Sequence, residues 1–442
     1  MENNTQLKEM IRSMVIDVLQ GQKQDIASSR PVKQVSRNQV EPGVFDTVDE
    51  AIRAAKEAQL RFEDCTLATR EKVIADIRAA MRPRVQELAQ KTVEETGMGR
   101  IADKVLKLNL TLDKTPGVED LVTECETGDN GMTLYELSAY GVIGAITPST
   151  NPAETLICNS IGMLAAGNAI FFSVHPGAKH LSRLLVSELN QIIAKSIGIE
   201  NLIVTLREPS IESAQEMMLH PDVSLLVVTG GPGVVKQALQ SGKKVIGAGA
   251  GNPPAFVDET ADVKKAAQDI VLGASLDNNI LCIAEKSVVA MRQIEPQLVQ
   301  EMVKAGCVLV DNQQDIQRLV DLTVLPNGTP NKKFVGKNAS VILDAAHIPY
   351  NGDPRLIIMR TPKEHPFAVI EMLMPILPVV TVDSFDEGLD VCLMLEAGLH
   401  HTATMHSLNM ERLNQMARKM KTSIFVKNGP SYAGLGFSGE GT

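Results

Sequence analysis

The side chain with the most chemical reach is the thiol of Cys282, in a stretch that reads GASLDNNILCIAE from Gly273 to Glu285. Small residues lead into Asp277-Asn278-Asn279, and the cysteine follows within the apolar run Ile280 to Ala284. A thiolate is the strongest side-chain nucleophile near neutral pH, provided its surroundings favour the deprotonated form. Cysteine is also a common small core hydrophobe, so this window alone leaves both roles open. Asn151, in Pro148-Ser149-Thr150-Asn151-Pro152, is a carboxamide held between prolines. It is either a rigid donor for an oxyanion or an Asx-type cap for the helix that follows. Thr229-Gly230-Gly231-Pro232-Gly233 closes an apolar strand and opens a helix, which makes either an anion site at the helix N-terminus or a tight turn. Gly247 to Gly251 alternates glycine and alanine, but Asn252-Pro253-Pro254 forbids the helix that a dinucleotide fingerprint needs. Those glycines instead let backbone pass close to a reacting centre. His400, His401 and His406 have no acid or cysteine at paired spacing, so they read as a pocket wall and not as metal ligands.

The elements that must position these groups can be read from periodicity. At 442 residues the chain is expected to fold as two or three domains. Its net charge of −10 argues against a nucleic-acid partner, and 3% aromatic content with no Trp argues against base stacking. Six cysteines at irregular spacing fit reduced thiols, not a disulfide frame. No stretch reaches the ~18 apolar residues of a membrane span, and no secretory signal is visible. Residues 1–20 place Leu7, Met10, Ile11, Met14, Val15, Val18 and Leu19 on one helical stripe, followed by a polar linker over 21–41. Such a helix docks on its own protein or on a partner. Long helices are expected from Asp46 to Thr111, and a β-hairpin over 119–140 turns at Gly128-Asp129-Asn130-Gly131. From Gly141 strands and helices alternate, the mark of a parallel sheet covered on both faces. A second α/β unit runs from about Pro254 to Val426. Active groups on such sheets lie at strand carboxyl ends, which here fall at Thr147 to Asn151, His175-Pro176, Thr229 to Gly231 and Gly247 to Asn252.

Taken in order, these pieces resemble the aldehyde dehydrogenase superfamily, in particular its CoA-acylating branch found with bacterial microcompartments (propionaldehyde and acetaldehyde dehydrogenases). The matching segments are Thr147 to Pro152, His175 to Lys179, Val228 to Gly233, Gly247 to Pro254, Asp277 to Cys282, His365-Pro366-Phe367 with Glu371 to Pro375, His400 to Ala403 and Asn428 to Tyr432. The resemblance implies a Rossmann-like cofactor domain over 42–250, a catalytic α/β domain over 251–426, and a C-terminal oligomerisation segment beginning at 427. It implies that Cys282 attacks the aldehyde carbonyl and that Asn151, with the backbone N–H of Cys282, stabilises the oxyanion. NAD would lie against Thr147, Pro148, His175, Pro176, Gly177, Thr229, Gly230, Gly231, Gly249, Glu371 and Pro375. Ile280, Leu281, Ile283 and His401 would line the substrate pocket, with no metal. Hydrolytic relatives carry a glutamate base where this chain has Gly247, so the thioester should await the thiol of coenzyme A and leave as acyl-CoA, propionaldehyde being the favoured substrate. The resemblance also implies that residues 1–20 bind a microcompartment shell protein, that the enzyme works in the microcompartment lumen or cytoplasm, and that it is a homo-oligomer, dimer or tetramer. A hydrolytic aldehyde dehydrogenase and a catalytically silent cargo or scaffold protein are the alternatives.

Overall fold

The computed structural model describes residues 41–437; the stripe over residues 1–20 lies outside them, as does most of the linker. The described residues from Pro42 onward form one compact unit. It opens with a two-residue strand β1 (Val44–Phe45) and four successive helices, Val48–Glu63, Leu67–Met81, Val85–Thr96 and Ile101–Lys114. Thr47 and Thr66 cap the first two through their hydroxyls, and Gly97 ends the third in the left-handed conformation that glycine adopts without penalty. The hairpin follows as β2 (Glu124–Gly128) and β3 (Gly131–Tyr135), paired Gly128 to Gly131 across the expected turn. Both of its strands are exposed along their whole length.

The alternating region builds β4 (Val142–Thr147), β5 (Ala169–Val174), β6 (Ile203–Leu206), β7 (Val223–Thr229) and β8 (Lys244–Ala248). They join β1 in a parallel sheet of order β1-β6-β5-β4-β7-β8. The near-continuous apolar sequences of β4 and β5 follow from helices packed on both faces, and all twelve of their residues are buried. The chain runs outward from β4 in one direction and returns to start again at β7, so the order reverses between those two strands. A crevice opens at such a reversal, outside the strand carboxyl ends.

The second half carries β9 (Pro254–Val257), β10 (Ser287–Met291), β11 (Cys307–Leu309), β12 (Leu356–Arg360), β13 (Ile376–Val382), β14 (Thr402–His406) and β15 (Ile424–Lys427). Their order is β11-β12-β13-β10-β9-β14-β15, again parallel throughout. Here the chemistry-bearing segments sit at the opposite end of the strands. Gly251 precedes β9, Cys282 precedes β10, Glu371 and Pro375 precede β13, and His401 precedes β14. The strand-end rule therefore holds for the first sheet and is reversed in the second.

Candidate active site

The segment before Cys282 is held in an unusual shape. Asp277, Asn278 and Asn279 take φ of 50°, 57° and 64°, three successive left-handed residues without a glycine. Asp and Asn tolerate this region better than other side chains, but such a run persists only where its surroundings over-determine it. The surroundings do so. Asp277 accepts from the Arg100 backbone N–H (2.9 Å), and its own N–H donates to Asp103. Asn278 donates to the Gly336 carbonyl and to Asn338, each at 2.8 Å. Asn279 donates to the carbonyls of Ala274 and Glu285. These three polar residues are scaffold for the turn that presents the thiol. Gly99 shows how tightly it is made, since a Cβ built there would lie 2.0 Å from the Asp277 carboxylate.

Cys282 itself is half-buried, unlike Cys307 and Cys392, which are core residues. Burial pushes its thiol above the ordinary range; the positive charge of Lys286 pulls it back and the negative charge of Glu371 pushes it up. Gly251 lies directly against it: a Cβ at that position would sit 2.7 Å from the Cys282 carbonyl oxygen and 3.0 Å from the His401 ring. The Gly251 N–H donates to the Glu371 carboxylate at 3.2 Å. His401 Nδ1 pairs with the Thr402 hydroxyl at 2.9 Å, and burial lowers its basicity, helped by Lys286. The fold thus brings Cys282, Gly251, His401 and Glu371 together from four separate segments.

Asn151, in the first half, is linked to the Cys282 turn indirectly. It occupies the cap position before the helix Pro152–Ala165, yet its side chain makes no capping bond. Its Oδ1 instead accepts from the Lys107 ammonium, and its Nδ2 reaches toward the Thr150 hydroxyl at 3.3 Å. Lys107 also donates to Asp277 at 2.5 Å and pairs with Glu154 at 3.1 Å. Lys104 bonds the same Asp277 oxygen at 2.9 Å and the Thr150 carbonyl at 3.1 Å. Burial opposes ionisation of Asp277, but the two lysine charges outweigh it and hold the carboxyl below its usual range. Asn151 and the Cys282 turn are therefore tied through one buried carboxylate.

The remaining expected positions fall in three places. Thr147 is 2% exposed at the end of β4, and its hydroxyl has no hydrogen-bond partner. Gly231 caps the helix Pro232–Leu239 with no side chain over its N-terminal amides, and a Cβ at Gly231 or Gly249 would meet nothing within 4 Å. This open glycine surface, the orphaned hydroxyl and the β4–β7 crevice fit a dinucleotide laid across the strand ends. Pro148, Thr229 and Gly230 border the same crevice, whereas His175, Pro176 and Gly177 lie exposed at the end of β5, with the His175 ring accepting from the Gly177 N–H. Pro375 is buried where β13 begins, and its carbonyl accepts from Ile357. Leu281 and Ile283 pack with Leu276, Ala284 and the segment around Tyr432, and Ile280 backs onto Gly336, so all three support the turn from within.

Lys104, Lys107 and Lys286 belong to no motif in the sequence, where Glu285 and Lys286 are simply adjacent opposite charges. Their side chains part company. Glu285 accepts from the Ser431 N–H (2.8 Å) and hydroxyl (2.7 Å), and burial pushes its carboxyl up to about 7. Lys286 donates to the carbonyls of Asn279 (2.7 Å) and Leu281 (2.9 Å) and to the Asn279 side chain, and burial lowers it to about 8. The available signal was positional, because Lys104 and Lys107 fall on the buried stripe of their helix beside Leu108 and Leu112.

Residues 18–440 match the model of the aldehyde dehydrogenase family. The CoA-propanoylating propanal dehydrogenase of Salmonella typhimurium is 50% identical over 440 residues, 99% of this chain and 92% of that protein. Among solved structures, the propionaldehyde dehydrogenase of Rhodopseudomonas palustris, with bound CoA and an acylated cysteine, superposes with a TM-score of 0.89 at 48% identity, covering 91% of this chain and 92% of that one. The propionaldehyde dehydrogenase from the fucose utilisation microcompartment of Clostridium phytofermentans gives the same TM-score, 0.89, at 46% identity and the same coverage, 91% and 92%.

Proposed function

This chain belongs to the aldehyde dehydrogenase family, and from that premise we propose that it converts a short-chain aldehyde, propionaldehyde first, with NAD and coenzyme A into acyl-CoA and NADH. The Cys282 sulfur adds to the aldehyde carbon, and the carbonyl oxygen becomes an oxyanion held by the Asn151 carboxamide and the Cys282 N–H. Thr147, Pro148 and Thr229 to Gly231 would hold NAD, with Glu371 serving its nicotinamide ribose, and the cofactor would supply the hydride acceptor. Loss of hydride leaves an acyl group on Cys282 as a thioester. The thiolate of coenzyme A attacks that carbonyl carbon, the carbon–sulfur bond to Cys282 breaks, and the enzyme thiolate is restored in a ping-pong cycle. We read 42–250 as the cofactor half and 251–426 as the half that supplies the nucleophile.

The observation that carries the acyl-transfer outcome is the carboxylate-free glycine and alanine run that ends against the cysteine. Gly251 abuts the Cys282 carbonyl at the end of a Gly-Ala-Gly-Ala-Gly run, so this run supplies no carboxylate to deprotonate water. The Glu371 carboxylate, whose charge acts on Cys282, is itself engaged, because it accepts the Gly251 N–H. The test is product analysis. With propionaldehyde and NAD, NADH should form as a single-turnover burst and continue only when coenzyme A is added, with propionyl-CoA as product. Steady release of propionate without a thiol would sink this reading in favour of hydrolysis. Cys282→Ala should remove both burst and turnover.

We further propose that the exposed hairpin Glu124–Tyr135 is covered by a second copy of the chain, because an isolated two-stranded ribbon is marginally stable and Met132 and Leu134 are 65% and 60% exposed. Residues 1–20 would deliver the enzyme to a microcompartment shell; the apolar stripe and the microcompartment origin of a relative support this.

A further inference from the structure

Each of the two amides assigned to the oxyanion has a buried ammonium bonded to its carbonyl end. On one side Lys107 Nζ donates to Asn151 Oδ1. On the other, Lys286 Nζ donates at 2.9 Å to the Leu281 carbonyl, the oxygen of the peptide unit whose N–H belongs to Cys282. Neither lysine can act at the surface, since their side chains are respectively 5% exposed and in a residue 3% exposed. Neither is explained by packing alone, because burying an ammonium is costly unless partners are supplied.

The consequence follows from amide chemistry. In a trans peptide the C=O and N–H point in opposite directions. An ammonium fixed on the Leu281 oxygen therefore turns the Cys282 N–H away from Lys286 and draws electron density toward the oxygen, making the N–H a stronger donor. The same holds within a carboxamide. With Oδ1 engaged by a cation that can only donate, Nδ2–H is the end of Asn151 left to face an incoming oxygen. Hydrogen bonds in series polarise one another, most of all where water is excluded.

We propose that Lys107 and Lys286 are positioning residues that orient and polarise the two oxyanion donors from behind, Lys107 through Asn151 and Lys286 through the Leu281–Cys282 peptide. Asp277 and Lys104 complete the device by fixing Lys107, through the oxygen that both lysines share. The proposal rests on Cys282 and Asn151 having the roles given above.

A double-mutant cycle on the full-length enzyme tests it, reading the NADH burst rate with saturating NAD. Asn151→Ala alone should slow acylation about a hundredfold to a thousandfold, the loss typical of one oxyanion donor. Lys107→Met alone should slow it about tenfold to a hundredfold, the range for a hydrogen bond to a charged group. The combined variant should be no slower than Asn151→Ala, because Lys107 has nothing left to act through. Lys286→Met should slow the burst by more than it slows alkylation of Cys282 at the same pH, and by a factor that multiplies with Asn151→Ala, since it acts on the other donor. A burst slowed no more than alkylation would reduce Lys286 to its charge effect on the thiol and overturn its part of the proposal. NAD affinity and KM for the aldehyde should stay near wild type in every variant. Should Lys107→Met not fold, Lys107→Gln carries the same cycle, retaining a neutral donor and recovering part of the rate. Multiplicative losses for Lys107 and Asn151, or a Lys107 variant at wild-type speed, would overturn the proposal and leave the thioester mechanism standing. An Asn151→Ala enzyme at wild-type speed would instead remove the oxyanion assignment on which it rests.

Discussion

At the scale of single residues, the reactivity of Cys282 is set by a contest between burial and two charges of opposite sign. Burial is the largest influence and disfavours the thiolate; Lys286 favours it and Glu371 disfavours it. The two substitutions should therefore move the thiol in opposite directions. Glu371→Gln removes the negative neighbour, so the thiolate forms at lower pH and alkylation by iodoacetamide at a fixed pH of 7 becomes faster. Lys286→Met removes the positive neighbour, so the alkylation profile moves to higher pH and the reaction at pH 7 slows. Alkylation rates measured from pH 6 to 10 on both variants give the comparison, and profiles that shift together, or not at all, would show that these charges do not govern the thiol. Both variants keep the cysteine, so this readout is independent of turnover.

At the scale of elements, the alternation of strand and helix expected from Gly141 onward is realised in β4 to β8 and the helices between them. Apolar runs and glycine–asparagine turns are local signals, which is why the hairpin turn and the parallel sheets were legible. The chemistry of the cysteine turn was legible only in part. Asp277-Asn278-Asn279 stood out as polar residues beside a thiol, but their task is to hold left-handed backbone through partners as distant in sequence as Arg100, Gly336 and Asn338. The buried lysines escaped for the same reason: a lysine on an apolar stripe has meaning only once the carboxylate that meets it is known. Glu285 shows how such a group can be tested. It ties the start of β10 to Ser431, and its folded value of about 7 stands above the ordinary 4.5. A carboxyl raised on folding contributes stability fully below 4.5 and loses it as pH rises through 7. Glu285→Gln keeps a neutral side chain of the same shape, so it should leave stability little changed at pH 4 to 5 and add about 3 kcal/mol at pH 8. Denaturant midpoints at the two pH values check this, and a variant less stable than wild type at pH 8 would refute it.

At the scale of the whole molecule, two parallel sheets divide the work by presenting opposite strand ends. The first offers carboxyl ends and the glycine-lined crevice of β4 and β7; the second offers amino ends carrying Gly251, Cys282, Glu371 and His401. Every group assigned to binding or chemistry lies between Lys104 and His401, within the compact unit that begins at Pro42. The roles proposed above give shell binding to residues 1–20 and self-association to the hairpin, where Met132 and Leu134 are exposed. These placements separate three properties that one truncation can measure together. A chain lacking residues 1–20 should keep its kcat/KM for propionaldehyde and its oligomeric mass by light scattering, while losing co-purification with a microcompartment shell. Retained co-purification would assign shell binding to the body of the enzyme. A truncated chain that falls to monomers would transfer the self-association role from the hairpin to residues 1–20. A loss of kcat/KM at unchanged mass would mean that the stripe docks on its own protein and not on a partner.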